Sequence, residues 1–361
     1  MFERLIAPLL ETLRPHFDLS KSRLETLAVL LVGLANCRTV NLSHLASQFP
    51  GDAKHSSNYR RLQRFFQFVE LDGDVSARLI MRMLNLTRPA LLALDRTNWK
   101  LGSRDVNILM LAVVTRRFRV PLMWVLLDHA GSSATAQRAA LMERYLRLFG
   151  ASSIRALLAD REFVGAEWMD FLNKNNVPFV IRIKEDMLIR LTDGTQRQFR
   201  TLLRKRKHGT WEGWLTGMNT SPGNRLRCAA KRIKGAELLI ITTNLDEAGH
   251  ALSLYRKRWG IECMFADAKT RGLNLEDTHI TDPTKLATLL VLIALAVTWA
   301  CRSATRILGR GTIRRKTHGR REKSWFRTGL DGLRIWIIHS PQRALEAWTN
   351  RYPRRPLTVS Q

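Results

Sequence analysis

The feature that most constrains the fold is a series of short apolar segments that begins after Pro89 and alternates with helical ones. Leu, Val and Ile dominate the segments ALLALDRT, ILMLAVVTRR and VPLMWVLLDHAG, which have the length and composition of strands. A helical segment, ATAQRAALMERYLRLF, comes next, followed by a strand, a helix and a strand in RALLADREF, GAEWMDFLNKNNV and PFVIRIKED. This succession predicts an α/β protein with a mixed sheet covered by helices.

The order of these elements matches a ribonuclease-H-like core, which we assign to residues 86–185 and 246–307. Around it we predict a helical N-terminal domain, a β-rich insertion with a hairpin turn at Asp193–Gly194, and a basic helical C-terminal region. Their boundaries are 1–85, 186–245 and 308–361. Asp246 is a candidate cap for a helical run that continues to about Ile307.

The N-terminal domain contains a basic helix in the segment SSNYRRLQRFFQFVE. Ser56 or Ser57 is its expected cap, and the apolar residues lie toward one side of it. The other sides carry the candidate DNA-binding residues Tyr59, Arg60, Arg61 and Arg64. A helix, a short polar break and this basic helix resemble a helix-turn-helix, and a plain helical bundle with solvated arginines explains the pattern about equally well.

The charge of the chain predicts a polyanionic partner. Its net charge is +28 and its pI is about 11.2, so nucleic acid is the first candidate and an acidic membrane surface the second. A basic soluble protein without such a partner is the alternative. The apolar run from Leu286 to Cys301 is shorter than the roughly 20 residues that cross a bilayer, and it predicts a buried helix rather than a membrane span.

The four cysteines are scattered without metal-ligand spacing, which argues against a zinc site or a disulfide framework. The first residues include acids and no cleavage site, so they do not resemble a secretory signal. We therefore expect a cytoplasmic, nucleoid-associated protein.

Two acids follow predicted strands of the core. Asp95 ends the first strand and Asp160 ends the fourth, and these strands are neighbours in a ribonuclease-H-like sheet. Two adjacent carboxylates repel each other unless a cation lies between them, and Mg²⁺ suits such a site. Position alone is not diagnostic, because Asp128 also ends a strand, and Glu162 and Asp267 are competing acids nearby.

A third acid belongs to a helical pattern in LYRKRWGIECMFADAK. If this segment is one helix, Tyr255, Arg258, Glu262 and Lys269 lie at roughly 0°, 300°, 340° and 320° around it, on one narrow face. Glu262 would complete a site for two metal ions. Arg258 is suited to bidentate phosphate binding, Tyr255 and Lys269 to further phosphate contacts, and Trp259 either stacks on a base or packs in the core.

These residues resemble a known family. Tyr255-x2-Arg258-x3-Glu262-x6-Lys269 is similar to the YREK signature of DDE transposases of the insertion-sequence IS-four group. LLALDRTNW and ALLADREFVGAEWMDFL are similar to the segments that carry the first and second acids of that family, and NNVPFVIRIK to the strand that follows. The resemblance covers about Leu91 to Lys269.

The resemblance implies a DNA transposase that cleaves the terminal inverted repeats of a mobile element and joins their 3′-hydroxyl ends to target DNA. It implies Asp95, Asp160 and Glu262 as ligands of two Mg²⁺ ions, with Mn²⁺ as a substitute. It also implies DNA phosphate contacts from Tyr255, Arg258 and Lys269, and a homodimer on paired ends.

Relatives stack a flipped base on a tryptophan of the β insertion, and that position lacks tryptophan here. Trp211 and Trp214 are substitute candidates for base stacking. Two other functions remain open: a ribonuclease-H-like nuclease without strand transfer, and a catalytically silent, domesticated DNA-binding protein. Terminal inverted repeats beside the gene would favour the transposase.

Overall fold

The computed structural model describes residues 3–101, 104–216, 225–233, 237–317 and 319–349. Within these ranges the strands form a single ten-stranded mixed sheet with the order β3-β2-β1-β4-β5-β10-β9-β8-β6-β7. The strands are β1 (Ala90–Leu101), β2 (Arg104–Val114), β3 (Arg119–Leu127), β4 (Ile154–Ala159), β5 (Phe179–Ile183), β6 (Leu188–Leu191), β7 (Gln196–Gln198), β8 (His208–Thr216), β9 (Leu226–Arg232) and β10 (Leu238–Thr243). The sequence also predicts a turn at Gly102–Ser103, and these two residues lie outside the described residues.

Thirteen α-helices accompany the sheet in the described part of the chain. Those before and between the strands are α1 (Glu3–Leu13), α2 (Lys21–Cys37), α3 (Leu42–Ala46), α4 (His55–Phe68), α5 (Gly73–Leu84), α6 (Thr135–Phe149), α7 (Ala166–Lys174) and α8 (Phe199–Leu202). Those after the strands are α9 (Ala248–Tyr255), α10 (Gly260–Ala268), α11 (Pro283–Leu308), α12 (Trp325–His339) and α13 (Pro341–Thr349).

The predicted mixed α/β architecture is confirmed, and so is the pairing of the first and fourth strands. β1 and β4 run parallel, and their register ends with Leu94 opposite Ala159. The sequence predicts that β1 ends at Asp95, and this is wrong. β1 stays paired with the antiparallel strand β2 as far as Leu101. Asp95 therefore lies where β1 loses its pairing with β4, level with Asp160.

The strands between residues 188 and 243 continue this sheet. β10 pairs with β5, and β9, β8, β6 and β7 follow outward from it. The predicted hairpin is present: β6 and β7 are antiparallel, and Gly194 adopts a φ of 84° in the turn between them. Glycine suits that position because other residues rarely adopt positive φ.

The run after Asp246 is not one helix. α9 ends at Tyr255, α10 ends at Ala268, and α11 begins only after Asp282, whose side chain accepts a hydrogen bond from the Lys285 amide. Asp246 does not cap α9, because it forms an ion pair with Arg227 instead. The predicted caps of α4 at Ser56 and Ser57 are also wrong, since that helix already begins at His55.

α11 is the central helix of the core. It is long and apolar enough to cross a membrane by length and composition, but 83% of its apolar window is buried inside the protein. α2, α5, α12, α13 and β3 pack around it. The apolar run is thus covered by the protein itself, as predicted.

The many basic residues from Arg302 onward predict either a flexible phosphate-contacting arm or a disordered tail. The structure places two packed helices in this region: α12 and α13 pack against α11, and α13 also reaches α1. Two of these arginines lie on α11 and are engaged within the fold. Arg302 is buried and donates to the carbonyls of Met83 and Ala347, and Arg306 pairs with Glu346.

Candidate active site

Three acids meet at one arginine on the edge of the sheet where β1 and β4 separate. Arg258 Nη1 lies 2.7 Å from an oxygen of Asp95, and its Nη2 lies 3.2 Å from Asp160 and 3.0 Å from Glu262. The Arg258 residue is only 5% exposed. Tertiary folding therefore brings together three acids that lie 65 to 167 positions apart along the chain. Glu262 is only four residues from Arg258 itself.

The three carboxylates differ in depth. The side chain of Asp95 is 13% exposed, that of Asp160 27% and that of Glu262 41%. Backbone amides hold the first two in place, because Arg96 N donates to Asp95 at 2.8 Å and Arg161 N donates to Asp160 at 2.8 Å. Glu262 is thus the outermost acid and the one most open to solvent.

The electrostatics of the cluster follow from burial and from mutual repulsion. Burial raises the pKa of Asp95 to about 6, Arg258 opposes this rise, and Glu162 and Asp160 add to it. Burial alone would lower the pKa of Arg258. The negative charges of the ionised Tyr255 and of the three acids outweigh the effect of burial and raise this pKa. Arg258 is the cation that lets three carboxylates lie together.

Tyr255 and Arg258 are aligned by a tight turn between α9 and α10. The amides of Lys257, Arg258 and Ile261 bond to carbonyls three residues back, at 2.9, 2.9 and 2.8 Å. In such 3₁₀-type spacing, residues three apart eclipse each other instead of diverging by about 60° as in an α-helix. As a result the Tyr255 hydroxyl also reaches Asp160, to which it donates at 3.1 Å.

This turn depends on a residue that the sequence did not single out. In a continuous α-helix the carbonyl of Lys257 would accept from the amide of Ile261, which here bonds to Arg258 instead. The half-buried guanidinium of Arg119, on β3, donates to the Lys257 carbonyl in its place, with Nε at 2.9 Å. A Cβ on Gly260 would collide with that guanidinium, so the close approach requires glycine.

No sequence signal marks Arg119, because its partner lies 138 residues away. The sequence predicts a turn at Arg117–Phe118–Arg119, and Arg119 is instead the first residue of β3. Burial lowers the pKa of Arg119 to about 10.

The structure does not bring Lys269 into the acid cluster. Lys269 follows α10, where its Nζ donates to the Asn98 carbonyl at 2.8 Å and lies 3.4 Å from Glu276. It also lies 4.9 Å from the ring centre of Trp99. The single helical face predicted for Tyr255 to Lys269 is wrong, because α10 starts anew at Gly260 and ends at Ala268.

The competing acids are not at the cluster centre. The side chain of Asp128 is 93% exposed and pairs with His129. Glu162 pairs with Arg96 at 3.4 Å. For Asp267, on the other side of α10, burial raises the pKa to about 6, and it forms no ion pair within the part of the chain that the structure describes.

The tryptophan candidates lie in different surroundings. Trp259 is 66% exposed and adjoins Arg258, so it does not pack in the core. Trp211 packs edge-on against Phe199, and Trp214 lies under the guanidinium of Arg190. Because Trp211 and Trp214 are three positions apart on β8, they face opposite sides of the sheet and cannot contact one ligand together.

The N-terminal candidates also differ from one another. Arg60 and Arg64 are exposed, and Tyr59 is half-buried against the core. Arg61 ties α4 to α2 through Glu25 and Thr26, at 3.0 and 2.9 Å. The guanidinium of Arg61 is thus engaged in helix packing.

The donor chemistry of the acid cluster suits a hard divalent cation. Carboxylate oxygens are the preferred ligands of Mg²⁺, and three carboxylates against one guanidinium leave an excess of negative charge. Among the described residues, no three His, Cys, Asp or Glu side chains are close enough to hold one ion. The three acids are instead spread around the Arg258 guanidinium.

Comparison with known proteins identifies one family. The sequence model described as Transposase DDE domain matches residues 87–299. This range includes Asp95, Asp160 and Glu262 together with the α9–α10 turn. No curated protein matches the chain.

Proposed function

Because the chain belongs to the DDE transposase family, we propose that it binds the terminal inverted repeats of a mobile element, cleaves them and joins the 3′-hydroxyl ends to target DNA. The observation that carries this proposal is the convergence of Asp95, Asp160 and Glu262 on Arg258. The strand order β3-β2-β1-β4-β5 supports a ribonuclease-H-like core. The spacing of Tyr255, Arg258, Glu262 and Lys269 supports the IS-four group.

Asp95, Asp160 and Glu262 would hold Mg²⁺ or Mn²⁺, two ions per site, which supply a Lewis acid for phosphodiester cleavage. Arg258 keeps the carboxylates close together, and Tyr255 fixes the orientation of Asp160. The Nε of Arg258 is buried and has no partner among the described residues, so a DNA phosphate could use this donor only if the site opens. Trp259 is exposed next to it, where stacking on a base would be possible without rearrangement of the core.

The remaining assignments rest on charge and on the family. Residues 1–85, with Arg60 and Arg64 exposed, would recognise the inverted repeats, and Tyr59 would support that surface. Lys269 would contact a flanking phosphate. Residues 186–245 form the insertion, and 308–361 the basic C-terminal region. We further propose a cytoplasmic, nucleoid-associated homodimer that acts on paired ends.

The test is end cleavage by matched acid variants. The substrate is a plasmid that carries the DNA flanking the gene on both sides, and the cofactor is Mg²⁺ or Mn²⁺. Asp160→Asn should bind the ends with wild-type affinity and cut at least about 100-fold more slowly, because one metal ligand is lost. Asp128→Asn changes an exposed acid that also follows a strand, and it should cut like the wild type.

Equal cleavage by the wild type and Asp160→Asn would show that the acid cluster is not the active site. Cleavage without joining of the ends would support a nuclease and contradict the proposed transposase.

A further inference from the structure

We propose that the loop Arg204–Lys207 is a second surface for duplex DNA, separate from the acid cluster and contacting the backbone about six base pairs from the scissile phosphate. This inference rests on the proposed function, which supplies the duplex. It extends that function by locating a contact which neither the acids nor the α9–α10 turn provides.

The loop presents four adjacent cations to solvent. Arg204, Lys205, Arg206 and Lys207 are all exposed. Among the residues that the structure describes, none of the four forms an ion pair. Two acids of neighbouring connections have other partners, since Glu185 pairs with Arg200 and Glu237 with Arg182. The repulsion within the loop is thus uncompensated by the protein.

The loop is nevertheless held in one conformation. Phe199 and Leu203 are fully buried beneath it. Arg232, on β9, donates to the Leu203 carbonyl at 2.9 Å and to the Arg206 carbonyl at 3.3 Å, and its amide donates to the Lys207 carbonyl at 2.9 Å. A fixed backbone that concentrates like charges has the form of a preorganised anion contact, because the entropy of ordering it is already lost.

The register of the sheet places this loop on the same edge as the acids. Asp160 follows Ala159, which is opposite Ile181, so Asp160 is level with Arg182. Arg182 is opposite Ile241, Ile241 opposite Ala229, and Ala229 opposite Thr210. Thr210 is therefore level with Asp160, and His208 lies two residues beyond it, on the side where β4 and β5 end. The loop ends just before His208.

The lateral separation follows from strand spacing. From β4 to β8 there are four steps, through β5, β10 and β9. At about 4.8 Å per step the loop lies roughly 19 Å from Asp160 along the edge. DNA rises about 3.4 Å per base pair, so a duplex that follows this edge reaches the loop about six base pairs from the acids.

Neutralising the loop tests this placement. The loop variant carries R204Q, K205Q, R206Q and K207Q. The control variant removes four exposed charges at the opposite end of the sheet, where β1, β3 and β5 begin: R88Q, R116Q, K174Q and R310Q. Affinity is measured for end duplexes shortened step by step from either side of the cleavage point, in a series of salt concentrations.

The wild type and the control should lose affinity sharply when one side becomes shorter than about six base pairs, and the loop variant should show no such step. On long duplexes, the slope of log affinity against log salt should be shallower by up to about 3.6 for the loop variant, because each of the four lost phosphate contacts accounts for about 0.9. The proposal would be overturned if the loop variant had the salt slope and the length step of the wild type. It would also be overturned if the control variant lost as much affinity and slope as the loop variant.

Cleavage of long duplexes by the wild type is recorded in parallel. Its absence would contradict the proposed function, whereas cleavage with unaltered length dependence in the loop variant would contradict the second surface alone.

Discussion

Arg258 is a buried cation surrounded by three carboxylates, each within 3.2 Å of its terminal nitrogens. Hydrogen bonds between charged groups contribute about 1.5–3 kcal/mol each. Breaking a buried pair costs more, because the remaining charge has no counterpart. Asp95 and Asp160 therefore depend on Arg258 for their proximity as much as on the sheet that carries them.

Replacing Arg258 by lysine tests the geometry of the guanidinium separately from its charge. One ammonium group cannot span Asp95, Asp160 and Glu262 at once, since it lacks the planar fork. Arg258→Lys should lower the melting temperature and slow end cleavage at least about tenfold. Thermal unfolding and single-turnover cleavage measure this, with Arg14→Lys in an exposed pair as the control. Unchanged cleavage would mean that charge alone suffices.

Asp267 gives a prediction about pH. Burial raises its pKa to about 6 in the folded protein, above the usual value of roughly 4 in an unfolded chain. The folded state binds the proton more tightly, so the free energy of unfolding falls as pH rises through this interval. Asp267→Asn removes this pH dependence. Relative to the wild type, the variant should gain on the order of 2 kcal/mol of unfolding free energy at pH 7.5 and almost none at pH 3.

Denaturant titrations at the two pH values measure this gain. An equal gain from Asp267→Asn at pH 7.5 and at pH 3 would contradict the raised pKa of Asp267. The same variant should cleave ends like the wild type, because Asp267 does not contact Arg258.

At the scale of elements, the break between α9 and α10 decides which side chains reach the acids. The break tightens the chain to three-residue spacing, and Arg119 replaces the hydrogen bond that the helix gives up at the Lys257 carbonyl. At the break, Tyr255 and Arg258 face Asp160. Lys269 lies two turns beyond Glu262, at the end of α10, where it contacts β1.

Arg119 is accordingly predicted to position Arg258. Arg119→Met removes the donor to Lys257, and Gly260→Ala displaces it, so both should slow cleavage by about tenfold to a hundredfold at saturating DNA, as small misplacements of reacting groups do. Arg119→Lys restores one donor and should recover part of the rate. Binding of the ends should change little.

The measurement is single-turnover cleavage well below each variant's melting temperature. If Arg119→Met lowers only the melting temperature, the contact stabilises the fold and does not position the site.

At the scale of the whole molecule, helices from before and after the sheet, α2 and α5 on one side of it in the sequence and α12 and α13 on the other, pack around α11. Trp348, on α13, packs edge-on against Trp299 with ring centres 5.3 Å apart, and the Trp299 indole donates to the Ala344 carbonyl at 2.9 Å. α13 also contacts α1, and α5 contacts both α11 and β3. The N-terminal helices, the sheet and the C-terminal helices thus share one hydrophobic core.

Trp348→Ala should therefore destabilise the whole chain rather than its end alone. Removing a buried tryptophan costs about 3–5 kcal/mol, so we expect a single unfolding transition at a lower temperature. Ile335→Ala, at a position 58% exposed on α12, should have an effect below about 0.5 kcal/mol. Calorimetry distinguishes the outcomes. A separate early transition in Trp348→Ala would show that the C-terminal helices unfold independently.

The sequence by itself determined the α/β class, the hairpin at Gly194 and the buried character of α11. It did so because hydrophobic periodicity and turn residues act over short distances, so each signal is complete within its own segment. Asp95, Asp160 and Glu262 were also recognisable, since each stands in a local motif.

Only the tertiary structure decided how those residues are held. It extended β1 past Asp95, broke the predicted helix at Arg256–Trp259, engaged Lys269 with Asn98 and Glu276, and brought in Arg119 from β3. It also engaged Arg61 and Arg302 in packing, and it aligned the Arg204–Lys207 loop with the edge that carries Asp160. These outcomes depend on contacts between residues far apart in the chain, such as the 138 positions between Arg119 and Lys257, and no local pattern records which distant group will satisfy a carbonyl or a charge.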